Sequence, residues 1–541
     1  MKRTSPLLAL LAICASGALL RPASAQAAEP AAESFAVFEY RVLGNTLLPA
    51  LDIERTLYPL LGEGRHIEDV EAARAALEAR YRAAGYGTVF VDIPEQEIAE
   101  GVVRLKVTEG TLEAVRVKGA RYVSGRAIRN ALPTAKLATA PDLPALQAEL
   151  ATYNARSPDR TVTPILKAGT QPGTVDLTLN VQDKLPLHGR LEVNDQYTTN
   201  TTRLRAIAQL SYDNLFDRLD SLSVQFQTAP EATRQASVWA FSYTARLPDD
   251  ANKLSFYYIN SDSSVATVGD GGSSIGVLGK GQIFGGRFIR LLSNTSAGTH
   301  VLQYGAEYKD FIESVLSTNT LQTPISYLNL SMGHISSWNA DTRQWSLASS
   351  ANFGLRGSLN TPAEFADKRF RARPNYFYVR ADGSVQQALP WGLALRLRMA
   401  GQIAGESIIS NEQFSVAGAD GVRGYREAET LGDIGYKSSL ELRTPAWQPQ
   451  HSSAQAFVFA DYGLSGRLNP LREQDPRTNE LGAYLEKRAQ ALGSLGVGLN
   501  FTLLQFLSGD LTWAYPLVDM PAASGTQAGQ SRVHFSMRST W

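Results

Sequence analysis

Residues able to do chemistry are few and scattered in this chain. The six histidines, His66, His188, His300, His334, His451 and His534, fall in no H-E-x-x-H or other metal spacing. No G-x-S-x-G nucleophile elbow occurs. Gly279-Lys280 is followed by Gly281, so the Ser or Thr of a phosphate-binding loop is missing. Gly269-Asp270-Gly271-Gly272 lacks the flanking ligands of an EF-hand and reads as a flexible loop. The one cysteine, Cys14, lies near the N-terminus in a leader, so disulfide, zinc and thiol chemistry drop out for the mature chain. What remains is charge set into alternating apolar runs. Arg396 and Arg398 interrupt Leu393, Leu395, Leu397 and Met399; Glu441 and Arg443 alternate with Leu440 and Leu442. Such groups make ion pairs on a wet wall. The expectation is no enzyme, no metal and no cofactor.

The elements that carry these charges are strands. From about Leu187 onward helical periodicity vanishes and apolar residues recur every second position, as in Leu222, Val224 and Phe226. The last nine residues, Val533 to Trp541, alternate in the same way and stop on an aromatic. A soluble sandwich would show the same alternation. Three features favour a transmembrane antiparallel β-barrel of about sixteen strands over residues 187–541: the aromatic terminus, a secretory leader, and tryptophans confined to Trp239 and beyond, as interfacial girdles require. The leader is residues 1–25: Lys2 and Arg3, an apolar stretch from Leu7 to Leu20, then Ala23-Ser24-Ala25. Ile13 before Cys14 is bulkier than a lipidation site normally takes. No later stretch is apolar enough for a transmembrane helix. The net charge of +0 gives no reason to expect nucleic acid.

Ahead of the barrel the texture is α+β. Phe35 to Val42 reads as a strand and Leu51 to Leu61 as a short helix. Ile67 to Ala84 is a second helix, with Val70, Ala73, Leu77, Tyr81 and Ala84 at helical spacing. Thr88 to Ile93 and Val102 to Val107 are strands. A looser copy follows: a strand around Val115 and Val117, helices around Ser124 to Leu132 and at Leu146, Leu150 and Tyr153, then strands at Thr161 to Lys167 and Thr174 to Val181. Two tandem modules are expected, residues 35–110 and 111–184.

The module boundaries carry a resemblance. Pro94-Glu95-Gln96 with Gly101 to Gly110 resembles the end of the first POTRA domain of outer-membrane translocators of two-partner secretion, the TpsB or ShlB/FhaC/HecB family, which export haemolysins and filamentous adhesins. Pro158-Asp159-Arg160, Gly169 and Gln171 to Leu177 resemble the second POTRA domain, and Asp183 to Asn194 its approach to the barrel. Gly421-Val422-Arg423-Gly424-Tyr425 is similar to the Val-Arg-Gly-Tyr signature at the tip of the long sixth extracellular loop. Phe459-Ala460-Asp461-Tyr462-Gly463 is similar to the Phe-x-Asp-x-Gly motif on a later barrel strand.

The resemblance implies a loop, about residues 406–432, folded into the lumen between strands eleven and twelve, with Arg423 facing Asp461 on strand thirteen. It implies a transporter in the outer membrane with its POTRA domains in the periplasm. It implies as partner a large secreted β-helical exoprotein, captured unfolded and threaded outward without nucleotide. It implies contact with outer-membrane lipid, and with the barrel-assembly machinery through the strand ending at Trp541. The family's N-terminal plug helix is not expected, because Gln26 to Ser34 would span about 14 Å as a helix, less than the roughly 25 Å apolar band, and Pro30 interrupts it. The alternative is a factor that inserts other barrels into the outer membrane, which shares both motifs but usually carries more POTRA modules. A passive porin would not need about 150 residues of preceding modules.

Overall fold

A computed structural model describes residues 34–98, 100–199, 201–249, 251–263, 265–268, 275–312, 324–355, 359–474, 481–521 and 525–541. The expected leader, the segment 26–33 and the Gly269–Gly272 stretch lie outside the described residues. Contacts divide the chain into two compact units. One holds residues up to 118 with 129–156 and 162–181; the other holds 119–128, 157–161 and 182–541.

The first elements are β1 (Phe35–Val37), β2 (Glu39–Leu43), α1 (Ala50–Leu57), β3 (Gly62–Arg65), α2 (Ile67–Ala83), β4 (Val89–Asp92) and β5 (Val102–Glu109). β2 runs parallel to β5, and β4 pairs antiparallel on the other side of β5. Helices cover one face, because Leu57, Leu77 and Tyr81 bury against Val89, Val91 and Leu105. The expected first strand is broken at Phe38, where the backbone N–H groups of Phe38 and Glu39 both donate to Gly101 O. The expected first helix stops at Leu57 and tightens to a 3-10 turn through Pro59, which has no N–H to continue an α-helix. β3, too short and Gly-rich to show a period, pairs with β1. α2 starts where the His66 N–H donates to Asp69 Oδ2 at 2.9 Å.

The second module follows with β6 (Thr111–Lys118), α3 (Gly125–Asn130), α4 (Leu143–Ala155), β7 (Arg160–Ala168) and β8 (Thr174–Asp183). The sheet order is β6-β8-β7, with β6 and β8 parallel. Asp142 caps α4 by accepting from the Ala145 N–H at 3.0 Å. Leu146, Leu150 and Tyr153 are its buried face.

Sixteen strands close the barrel. Strands 1 to 8 are Leu187–Asn194, Arg205–Leu215, Asp220–Thr228, Ser237–Arg246, Asn252–Ser261, Gly281–Thr295, Gly298–Phe311 and Ile325–Asn339. Strands 9 to 16 are Arg343–Gly354, Phe377–Ala388, Ala394–Ala404, Ile434–Arg443, Ser453–Gly466, Ala489–Leu503, Leu507–Pro516 and Arg532–Thr540. Every neighbour pairs antiparallel, and strand 16 closes on strand 1 through Ser536 opposite Asn194 and Thr540 opposite Arg190. Gly189 and Trp541 exchange two backbone hydrogen bonds at 3.1 Å each.

Connections are short at one end of the barrel and long at the other, where the longest runs from 405 to 433. The outward face is apolar and open: Leu440, Leu442, Val458, Tyr462, Leu495, Val497, Leu511, Trp513 and Met537 are all exposed. So extensive an apolar surface needs lipid. Aromatics belt it near both ends. Phe226, Trp239, Phe241, Tyr258, Phe284 and Tyr308 run ring to ring with centroids 4.4–6.4 Å apart toward the long loops. Trp338 stacks on Trp345 toward the short turns. No helix among the described residues is long and apolar enough to cross a membrane.

Candidate functional site

Four inward-facing residues on two neighbouring strands make a patch. Strands 12 and 13 pair with Ser439 opposite Asp461 and Glu441 opposite Phe459. Alternation points all four into the lumen, and the pairing sets two carboxylates, a hydroxyl and an aromatic face within one side chain's reach.

The loop 405–433 turns into the barrel and presents Arg423 to this patch. Its Nε donates to Asp461 Oδ2 at 2.8 Å and its Nη2 to Asp461 Oδ1 at 2.7 Å, the two-pronged geometry that a guanidinium alone supplies. Nη1 donates to Glu441 Oε1 at 3.0 Å and Nη2 to Ser439 Oγ at 2.7 Å. The plane lies over the Phe459 ring, 3.5 Å from its centroid. The backbone N–H of Arg423 adds a third bond to Asp461, at 3.1 Å. Arg423, Asp461 and Glu441 are all buried.

The residues around Arg423 dock the tip on other walls. Gly424 has φ +92°, and its N–H donates to His534 Nε2 on strand 16 at 2.9 Å. The Nδ1 of His534 lies 3.2 Å from Asp195 Oδ2. The Tyr425 hydroxyl donates to Val518 O at 2.8 Å and accepts from the Val518 N–H at 3.1 Å. Val422 packs on Gly463, and a Cβ at Gly421 would lie 2.3 Å from Val416 O, so the turn admits glycine there. Val416, Ala417, Val422 and Tyr425 join Leu492 and Met520 in an apolar cluster that seats the tip.

The two motifs therefore meet: Val422, Arg423, Gly424 and Tyr425 on the loop, Phe459, Asp461 and Gly463 on the wall. Glu441, noted in the sequence only as an inward-facing charge, is a direct partner of Arg423. Ser439 shares its parity, so the strand register across Asp461 was the signal that would have found both. His534 carried no such signal, since its contact arises across the barrel.

Below the tip, Arg396, Arg398 and Arg443 line one side of a lumen cavity of about 310 Å³, with Glu192 and Asp510 also on its wall. Among the described residues no group of three or more His, Cys, Asp or Glu is placed to hold a metal.

The family model of the haemolysin secretion/activation protein ShlB/FhaC/HecB matches residues 173–483, and that of the ShlB-type POTRA domain matches residues 35–110. The heme/hemopexin transporter protein HuxB of Haemophilus influenzae strain 86-028NP is 20% identical over 474 residues, covering 83% of this chain and 78% of that protein. The outer membrane transporter CdiB of Dickeya dadantii is 23% identical over 427 residues, covering 76% and 73%. The structure of CdiB from Escherichia coli superposes with a TM-score of 0.56 at 18% identity over 96% of this chain and 93% of that one. BamA from Haemophilus ducreyi lacking POTRA domains 1–3 gives 0.57 at 13% identity over 94% and 100%. The two structural likenesses concern the fold.

Proposed function

Because the chain belongs to the ShlB/FhaC/HecB family of two-partner-secretion transporters, with a barrel in the bacterial outer membrane and POTRA domains in the periplasm, we propose that it captures one unfolded exoprotein and exports it through the barrel. The exoprotein is large and β-helical, and its folding outside the cell supplies directionality, with no nucleotide consumed. The POTRA modules, assigned to residues 35–110 and 111–184, receive the partner as an added strand. Their sheets end in β2 and β4 and in β6 and β7, and apart from Leu112 of β6, which already pairs with the backbone of Ala138 and Thr139, these edges can pair with an incoming chain. Main-chain bonds of this kind tolerate many sequences, as a long cargo requires.

The observation that carries the reading is the loop inside the lumen, held by Arg423 on Asp461 and Glu441. A loop pinned by a buried ion pair is a gate with two states: the pair forms inside the lumen, and withdrawal exchanges it for water. Barrel residues 187–541 then form the conduit. The strand ending at Trp541 is the segment handed to the barrel-assembly machinery. Deletion of the gene tests the transport reading. Loss of a single secreted protein, with normal outer-membrane protein levels, is expected. A broad fall in outer-membrane proteins would instead mean a barrel-insertion factor.

A further inference from the structure

The loop 405–433 is held at two separate places on the barrel wall, and no motif accounts for the second hold. Glu412 sits in a short turn on the descending arm, 3% exposed. Its Oε1 accepts from Lys309 Nζ on strand 7 at 2.7 Å and from the Tyr327 hydroxyl on strand 8 at 2.5 Å. Its Oε2 accepts from the Tyr378 hydroxyl on strand 10 at 2.7 Å. Gln402 Nε2 on strand 11 reaches its backbone oxygen at 3.2 Å. Beside it Ile408 and Ile409, fully buried, pack among Tyr327, Tyr376 and Phe365.

We propose that Glu412 is a second latch of this loop, a positioning residue that holds it to strands 7, 8 and 10 while Arg423 holds it to strands 12 and 13. The pore then opens only when both let go. The loop thus carries an anion to a cationic and phenolic pocket on one side and a cation to an anionic pocket on the other. Either hold alone keeps the loop tethered to the wall; the two, of opposite sign, fix it at separate places along its length.

The wall groups explain how the second latch can release. Lys309 also lies 3.2 Å from Glu307 Oε2, and Glu307 is 3.1 Å from Arg287 on strand 6. When Glu412 departs, Lys309 keeps a counter-charge, so no buried cation is orphaned. On the other wall Glu441 keeps Arg443, 2.6 Å away, but Asp461 loses the guanidinium that chelates it. The Glu412 latch is therefore the weaker of the two.

This proposal rests on the reading of the loop as the gate, and the test separates the two. The mature protein, folded as judged by heat-modifiable migration, is placed in planar lipid bilayers and its open fraction measured. Glu412→Gln and Lys309→Met are each expected to raise that fraction about tenfold, the factor one charge-assisted hydrogen bond supplies. Arg423→Ala is expected to raise it further. The conservative variant Lys309→Arg keeps a cation between Glu412 and Glu307 and is expected to stay closed, which a merely structural role for the lysine stem would not predict. If Glu412→Gln and Lys309→Met behave as wild type while Arg423→Ala opens the pore, the second latch is wrong and the gate reading stands. If Arg423→Ala also leaves the pore closed, the gate reading falls and takes this proposal with it.

Discussion

Val422 occupies the space that a side chain at position 463 would need: a Cβ on Gly463 would lie 2.7 Å from Val422 Cγ2 and 3.2 Å from Val416 Cβ. The glycine of the wall motif is a socket for the valine of the loop motif. Gly463→Val should leave strand 13 intact, since a branched residue suits a strand, yet push the loop tip off the wall. The expected result is a barrel that folds and inserts normally, with a raised single-channel open fraction and reduced secretion of the partner. Wild-type channel behaviour would show that the socket does not hold the tip.

Arg423 and Asp461 are worth most as a pair. Removing either leaves the other desolvated, at about 3–5 kcal/mol where water stays out. Arg423→Ala should insert normally but lose secretion at equal transporter abundance. Arg423→Lys should recover little, because an ammonium cannot chelate both oxygens or lie flat on Phe459. In a double-mutant cycle with Asp461→Asn, the double variant should be less unstable to denaturant than the two single losses added together. Strict additivity would mean that the contact contributes nothing.

Tyr425 is fully buried, with its hydroxyl engaging both backbone groups of Val518. Tyr425→Phe keeps the ring and orphans those groups, so a loss of about 1–3 kcal/mol is expected. Limited proteolysis of the connection between strands 15 and 16 reads it directly: faster cleavage there, with the rest of the barrel unaffected, is the expected pattern.

Glu113, on β6, accepts from the Thr170 N–H at 2.8 Å and the Thr174 hydroxyl at 2.7 Å. The Thr170 side-chain hydrogen bond, together with that of Thr174 and the Thr170 N–H, holds its carboxyl down at about 2. The folded value lies below the ordinary 4.5, so its stabilisation is full above about pH 4.5 and is lost as pH falls toward about 2. Hydrogen exchange of the β7–β8 hairpin, compared between wild type and Glu113→Gln at the same pH, should differ at pH 6 and converge near pH 2. A difference that persists unchanged into acid would contradict the assignment.

Trp541 lies against Gly189, where a Cβ would come within 2.0 Å of its Cζ2. On the proposed reading that the strand ending at Trp541 is handed to the barrel-assembly machinery, Trp541→Ala should refold in detergent yet reach the outer membrane in smaller amounts. Equal abundance in outer-membrane fractions would remove that role.

Much of the architecture was legible because its signal is local. Period-2 alternation put Arg396, Arg398, Glu441 and Arg443 on one face, and the structure turns that face inward. Period 3.6 located α2 through Val70, Ala73, Leu77 and Tyr81, all buried. The misses lay where the local signal was too short or was overridden from a distance. Gly62–Arg65 was too short to show a period, and the break at Phe38 depends on Gly101, a residue far along the chain.

By itself the sequence determined the strand faces, the modules ahead of the barrel and the two motifs, since side-chain alternation and turn chemistry are properties of neighbouring residues. Only the tertiary structure decided that Ser439 stands opposite Asp461, that His534 receives the Gly424 N–H, and that Glu412 reaches Lys309, Tyr327 and Tyr378. Those contacts follow from barrel closure and from the path of one returning loop. Both are set by long-range register, and no short window of residues encodes them.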